Sequence, residues 1–383
     1  MRLPERQRPL IEQASASPPI HPPVPSPRGT PSISRRLFLA AALATGVQAD
    51  PWRRYLDPVT EFEVFLLTDP QFESFYPSPP ALAVDRRSRL LVFSSFREGI
   101  WQPWSLDLAA RASRPLGSLP GMQPHTLTLS ASGREVFFAD ETHLRAVTLN
   151  NLKPRELAAI SPGAEVPGPL APSPDGTALY FAEKAPPGWR LRRLALPRGA
   201  PATVLESSEP ILSPSPNPRR AMLLWRTPKG TLEVAAQDGG LRRRVETPPG
   251  RVLEAAWSPD GQALIYLHEP ESPNPRIAIR EQMLDSREDR FVAPTTQFGR
   301  FSPNANTSVF VGASRSAASP LILLLLRINR RELPLCEHKA SDPAITSPIF
   351  TPDSQRILFV SDRLGKPAIF LVNVEKLIEK TST

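Results

Sequence analysis

A turn that recurs about every 43 residues constrains this chain more than any other feature. Ser173-Pro174-Asp175-Gly176 precedes LYFAE, Ser258-Pro259-Asp260-Gly261 precedes LIYLHE, and Thr351-Pro352-Asp353-Ser354 precedes ILFVSD. Weaker copies are Ser302-Pro303-Asn304-Ala305, Ala131-Ser132-Gly133 and Ser215-Pro216-Asn217, with a first copy near Arg87. The Asp-equivalent positions 87, 132, 175, 217, 260, 304 and 353 are 45, 43, 42, 43, 44 and 49 residues apart. Six residues further on stands an aromatic in six copies: Phe93, Phe138, Phe181, Tyr266, Phe310 and Phe359. The copy at 217 slips, with Leu223 there and Trp225 beyond. Proline sets φ on entry to such a turn, Asp or Asn caps its own backbone, and Gly accepts positive φ. A period of this length holding several short strands is that of a propeller blade.

The turn connects an innermost strand to a second strand, whose alternating large residues pack between blades. Third strands read as PWSLDL, LRAVTL, WRLRRLAL, PLILLLLRI and PAIFLVNV. The run Leu321 to Leu326 belongs to this set; at six residues it is a buried strand, since a bilayer takes about 20. The last repeat lacks a fourth strand, and 61–69 (EFEVFLLTD) is a spare one. Lending it to the last blade removes two open sheet edges at once. The expectation is an all-β, seven-bladed β-propeller closed by the strand at 61–69, or six blades if the copy at 217 is not a blade. Composition agrees: 48 Pro in 383 residues exclude long helices. One cysteine, Cys336, excludes an internal disulfide.

Three segments follow. Residues 1–33 are Pro- and Ser-rich without apolar period and read as a disordered tail. Residues 34–49 read as a twin-arginine-type export signal. Ser34-Arg35-Arg36-Leu37-Phe38-Leu39 leads an apolar stretch too short to span a bilayer, and Val47-Gln48-Ala49 offers small residues for cleavage. Residues 50–383 are one propeller domain. The expected location is periplasmic or secreted. Half of the net charge of +8 sits in residues 1–49, which hold six Arg and two Glu. The mild remainder gives no reason to expect a nucleic-acid partner. No GxSxG, HExxH or GxxxxGK[ST] motif is present.

The SPDG-strand units resemble those of TolB-type propellers. The opening DPVTEFEVFLLTD and the closing SPIFTPDSQRILFVSDRLGKPAIFLVNVE resemble the seven-bladed oligogalacturonate lyases and their relatives. That resemblance implies a divalent metal, commonly Mn²⁺, held by several His and a Gln, with a His as base. The stretch matching the family's Gln/His cluster is Ser341-Asp342-Pro343-Ala344-Ile345-Thr346-Ser347-Pro348, which has neither residue. Beyond residue 49 the chain has four histidines, His125, His143, His268 and His338. By register the last three fall on second or third strands or outer loops. No metal site is therefore expected, and Mn²⁺ or Ca²⁺ enters only with a lyase activity.

Propellers bind around the central channel, on the face formed by loops leading into the innermost strands. Those loops hold Gln123 and His125, Arg251 and Glu254, Gln297 and Arg300, and Thr346 and Ser347. Arg300 and Arg251 suit the carboxylate of an acidic sugar or peptide. Trp101 and Trp104 offer either a sugar-stacking platform or packing between blades. The expected function is that of an exported, monomeric, non-catalytic propeller binding an envelope protein or an acidic oligosaccharide. The alternative is a diverged, oligogalacturonate lyase-like carbohydrate-active enzyme.

Overall fold

The computed structural model describes residues 52–379, apart from 118, 120 and 274. The expected tail and export signal lie outside the described residues. Six four-stranded antiparallel sheets span 74–115, 128–159, 171–207, 212–244, 250–294 and 298–337. A seventh combines three C-terminal strands, Ile349–Phe350, Arg356–Ser361 and Ala368–Asn373, with two from the N-terminal side. The repeat around 217 is a complete blade, so the ring has seven.

Closure takes two strands rather than the one expected. Glu63–Leu66 pairs with the last strand, placing Val64 opposite Val372 and Leu66 opposite Phe370. Arg53–Leu56 then folds back outside it, making this blade five-stranded. The hairpin between them is held by Asp57, which is fully buried. Its carboxylate accepts from the backbone N–H groups of Val59, Thr60 and Glu337, the last in the sixth blade.

The turns share one hydrogen-bond plan. In all seven, the N–H of the first residue (Asp85, Ser130, Ser173, Asn217, Ser258, Asn304 or Thr351) donates to the carbonyl five residues on. In six of them the return N–H donates to that first residue's side-chain oxygen. Asn217 instead accepts from Arg219 and Arg220. This corrects the register read from sequence, because Asn217 and Asn304 occupy the Ser258 position and not that of Asp260. Eight residues after each first position stand Phe93, Phe138, Phe181, Trp225, Tyr266, Gly312 and Phe359. The slip at 217 therefore disappears, and the exception moves to Gly312. There the ring of Phe298, from the innermost strand of the same blade, fills the space: a Cβ on Gly312 would lie 2.4 Å from it.

Strand alternation turns the two faces of each blade toward its two neighbours. The result is seven apolar clusters, each shared between adjacent blades around the ring. Tyr76 ties the first blade to the seventh, its hydroxyl donating to the carbonyls of Ser347 (2.6 Å) and Leu358 (3.0 Å). Among the described residues no helix is long and apolar enough to cross a membrane.

Candidate functional site

The innermost strands and the loops that enter them line a cavity of about 510 Å³. Its wall is rich in Pro and Ser, including Pro80, Pro167, Ser213 and Ser347. Its charged side chains are Arg226, Glu254 and Arg300. Glu254 and Arg300 stand four residues before the first turn position in the fifth and sixth blades. In both strands the pairing register shifts just before them, between Val252 and Glu254 and between Phe298 and Arg300. A bulge of this kind re-aims the side chain beyond it.

Two of the expected residues meet here. Arg300 Nη1 donates to Glu254 Oε1 at 2.6 Å, and its Nη2 donates to the Ala344 carbonyl at 3.1 Å. The other Glu254 oxygen accepts from the Phe301 N–H at 2.7 Å. Both Glu254 oxygens are thus occupied by the sixth blade.

Arg226 was not among the residues expected from sequence. It ends the second strand of the fourth blade, Met222–Arg226. Attention to loops entering innermost strands passes it over, and its neighbour Trp225 reads as core. Burial pulls its pKa below the ordinary arginine value; Glu254 works against that shift and Arg300 with it. The guanidinium stays charged, as arginine does in proteins. It makes no hydrogen bond or ion pair among the described residues.

Ser347, also expected, lines the cavity; the remaining candidates lie outside its wall. Arg251 pairs with Glu269, which also pairs with Arg315 at 2.7 Å. Gln297 accepts from the Ser314 hydroxyl at 2.6 Å. Gln123 donates to the Asp140 carbonyl at 3.3 Å. Thr346, fully buried, donates its hydroxyl to the Pro343 carbonyl. His125 lies exposed in the loop entering the second blade, its ring centroid 6.1 Å from that of Phe75. Partial burial of the ring lowers its pKa. Trp104 is buried between the seventh and first blades, while half-buried Trp101 packs on Phe96 and Phe75.

The other histidines are committed. His338 is fully buried, with Nε2 3.0 Å from the Ser314 carbonyl and Nδ1 accepting from the Ala340 N–H at 3.1 Å. His268 meets the Pro248 carbonyl at 3.1 Å, and His143 meets the Thr142 hydroxyl at 2.8 Å. Among the described residues no three His, Cys, Asp or Glu side chains converge on a point that could hold a metal ion. The divalent metal implied by the family resemblance therefore does not fit these residues.

These imidazoles make stability depend on pH. Burial lowers the pKa of His125, His268 and His338; at His338 the Ser314 carbonyl and nearby Asp362 oppose this without reversing it. A lowered folded pKa means the unfolded chain binds more protons. The stabilisation is then complete above the ordinary histidine value of about 6.5 and is lost as pH falls below it. Urea unfolding is expected to show stability declining from pH 7.5 to 5.5. A flat profile over that interval would contradict the burial of these rings.

No protein-family model matches the chain. It is 24% identical over 377 residues to an oligogalacturonide lyase of Pectobacterium atrosepticum, and 23% identical to an oligogalacturonate lyase of Dickeya dadantii. Both matches cover 84% of this chain and 95% of the relative. Among solved structures, an oligogalacturonate lyase in complex with manganese superposes with a TM-score of 0.78 at 22% identity, over 84% of this chain and 96% of that one. TolB of Acinetobacter baumannii is more distant, at a TM-score of 0.47. The chain is thus a seven-bladed propeller that shares its fold with the oligogalacturonate lyases.

Proposed function

We propose that this protein is a diverged, exported member of the oligogalacturonate lyase-like group that takes an acidic oligosaccharide into its channel. The observation that carries this reading is the match to two lyases over 84% of this chain and 95% of each relative. The charge of the cavity supports it, since two arginines and one glutamate leave a surplus positive charge in the wall. Export rests on the Ser34-Arg35-Arg36-Leu37-Phe38-Leu39 segment.

Elimination from a uronate needs a cation at the carboxylate and a base at the adjacent carbon. Arg226 and Arg300 supply positive charge; among the described residues no histidine lines the cavity. That last point favours a second reading, in which the propeller binds an acidic oligosaccharide or an envelope protein without turning it over. Incubation with oligogalacturonate, followed by both calorimetry and unsaturated-product absorbance, separates the two. Binding with product growth is the expected result for a lyase-like enzyme. Binding without product selects the non-catalytic reading. Neither binding nor product would remove acidic oligosaccharides from the account.

A further inference from the structure

We propose that Arg226 is a metal-independent seat for one carboxylate of a hydroxylated acidic ligand, and that the channel uses fixed guanidinium charge in place of a bound divalent cation. The ligand class rests on the proposed function; the seat and its independence of metal do not.

The argument starts from the hydrogen-bond inventory of the cavity. Glu254 is the wall's only carboxylate among the described residues, and both of its oxygens are taken, by Arg300 and by the Phe301 N–H. Arg300 is held in turn by Glu254 and the Ala344 carbonyl. Arg226 is left without an acceptor, although a guanidinium carries five N–H donors in a planar fork. Glu254 acts on this partly buried charge only at a distance, and leaving such a charge without a hydrogen-bonded acceptor is costly. An anion entering from solvent relieves that cost, and the fork geometry favours a carboxylate held through two parallel bonds.

The surplus is a single positive charge, enough to seat one carboxylate of such a ligand. Around it, the hydroxyls of Ser213, Ser215 and Ser347 make no side-chain hydrogen bond among the described residues, and all three line the cavity. They are available to the hydroxyl groups of a ligand. A volume of about 510 Å³ lies within the usual range for small-molecule sites, roughly 300–1,000 Å³. Pro80, Pro167 and Pro214 give this wall stiff backbone, since proline fixes φ. A seat held by such a wall is formed before the ligand arrives, which limits the ordering cost of binding.

Glu254 sets the balance. It cancels the charge of Arg300 and leaves Arg226 as the free cation. Replacing it by glutamine removes the wall's negative charge and should strengthen anion binding.

The test is calorimetric titration of the full chain with trigalacturonate, in EDTA and again with added Mn²⁺. Binding in EDTA is expected, with affinity changed less than about twofold by the metal. Arg226→Gln and Arg226→Met should each weaken it by about 30-fold or more, some 2 kcal/mol. Glu254→Gln should tighten it several-fold. Without ligand, both Arg226 variants should melt no lower than the parent, because they remove a partly buried charge that has no hydrogen-bond partner. Binding that requires Mn²⁺ would overturn the metal-independent seat while leaving the proposed function intact. Binding in EDTA that ignores Arg226 would overturn the seat alone. No binding under either condition would overturn the proposed function, and the seat's ligand class with it.

Discussion

A chain lacking residues 1–68 is expected to be recovered as aggregate or unfolded protein. Val64 and Leu66 point into the cluster between the sixth and seventh blades, while Phe65 and Leu67 point into the one between the seventh and first. All four are at most 7% exposed. Full burial of such side chains contributes about 1.5–3 kcal/mol each. Four of them amount to roughly 6–12 kcal/mol, comparable with the entire net stability of a folded domain. The deletion also strips the outer edge of the last blade, leaving backbone groups of Ala368–Asn373 unpaired and open to edge-to-edge association. The Asp57 latch to Glu337 is lost as well. Size-exclusion chromatography and circular dichroism check this. A truncated chain that elutes as a monomer and melts within a few degrees of the parent would show that the ring does not depend on this closure.

The second large effect is expected at Gly312. Its Cβ would meet three atoms of the Phe298 ring at 2.4 Å, and that ring is fully buried. Gly312→Ala should cost about 3 kcal/mol, at the upper end for overpacking, because the ring has little room to withdraw. The corresponding position in the other six blades holds an aromatic residue. The swap Phe298→Ala with Gly312→Phe rebuilds that arrangement and should recover part of the loss. Urea denaturation of the three chains measures both effects. Equal midpoints for Gly312→Ala and the parent would contradict the close packing of Phe298 on Gly312.

The blade plan was legible because a tight turn admits few residue types. Ser, Pro, Asp and Gly mark it wherever backbone geometry demands a cap or a positive φ. The register was harder to read. Ser215-Pro216-Asn217 and Ser258-Pro259-Asp260 align naturally by their prolines, yet the chain aligns Asn217 with Ser258. Asn can take over the capping hydrogen bonds of Ser, and nothing in composition says which of the two it replaces. Positive φ is also less selective than expected: Ser88, Thr307 and Ser354 adopt 55°, 58° and 59° where other copies have glycine. The outer strand Arg53–Leu56 carries little signal, since none of its four residues is buried.

At the site, Glu254 and Arg300 were legible because inner-strand entry loops line a propeller channel. Their mutual ion pair follows from equivalent positions in adjacent blades. Arg226 was invisible for a different reason. It comes from the end of a second strand, where alternation announces packing, and only the three-dimensional ring brings it to the same cavity. Its lack of a hydrogen-bonded acceptor is a property of the assembled wall and has no sequence signature. Cys336 makes the opposite case: a lone cysteine, it proves fully buried between the last two blades, and burial pushes its thiol pKa up.

A structure of the protein with trigalacturonate bound tests the central claim most directly. The account predicts the oligosaccharide in the channel, one carboxylate on the Arg226 guanidinium, Glu254 still paired with Arg300, and no metal between ligand and protein. A ligand seated elsewhere on the propeller, or one reaching the wall only through a bound cation, would contradict it.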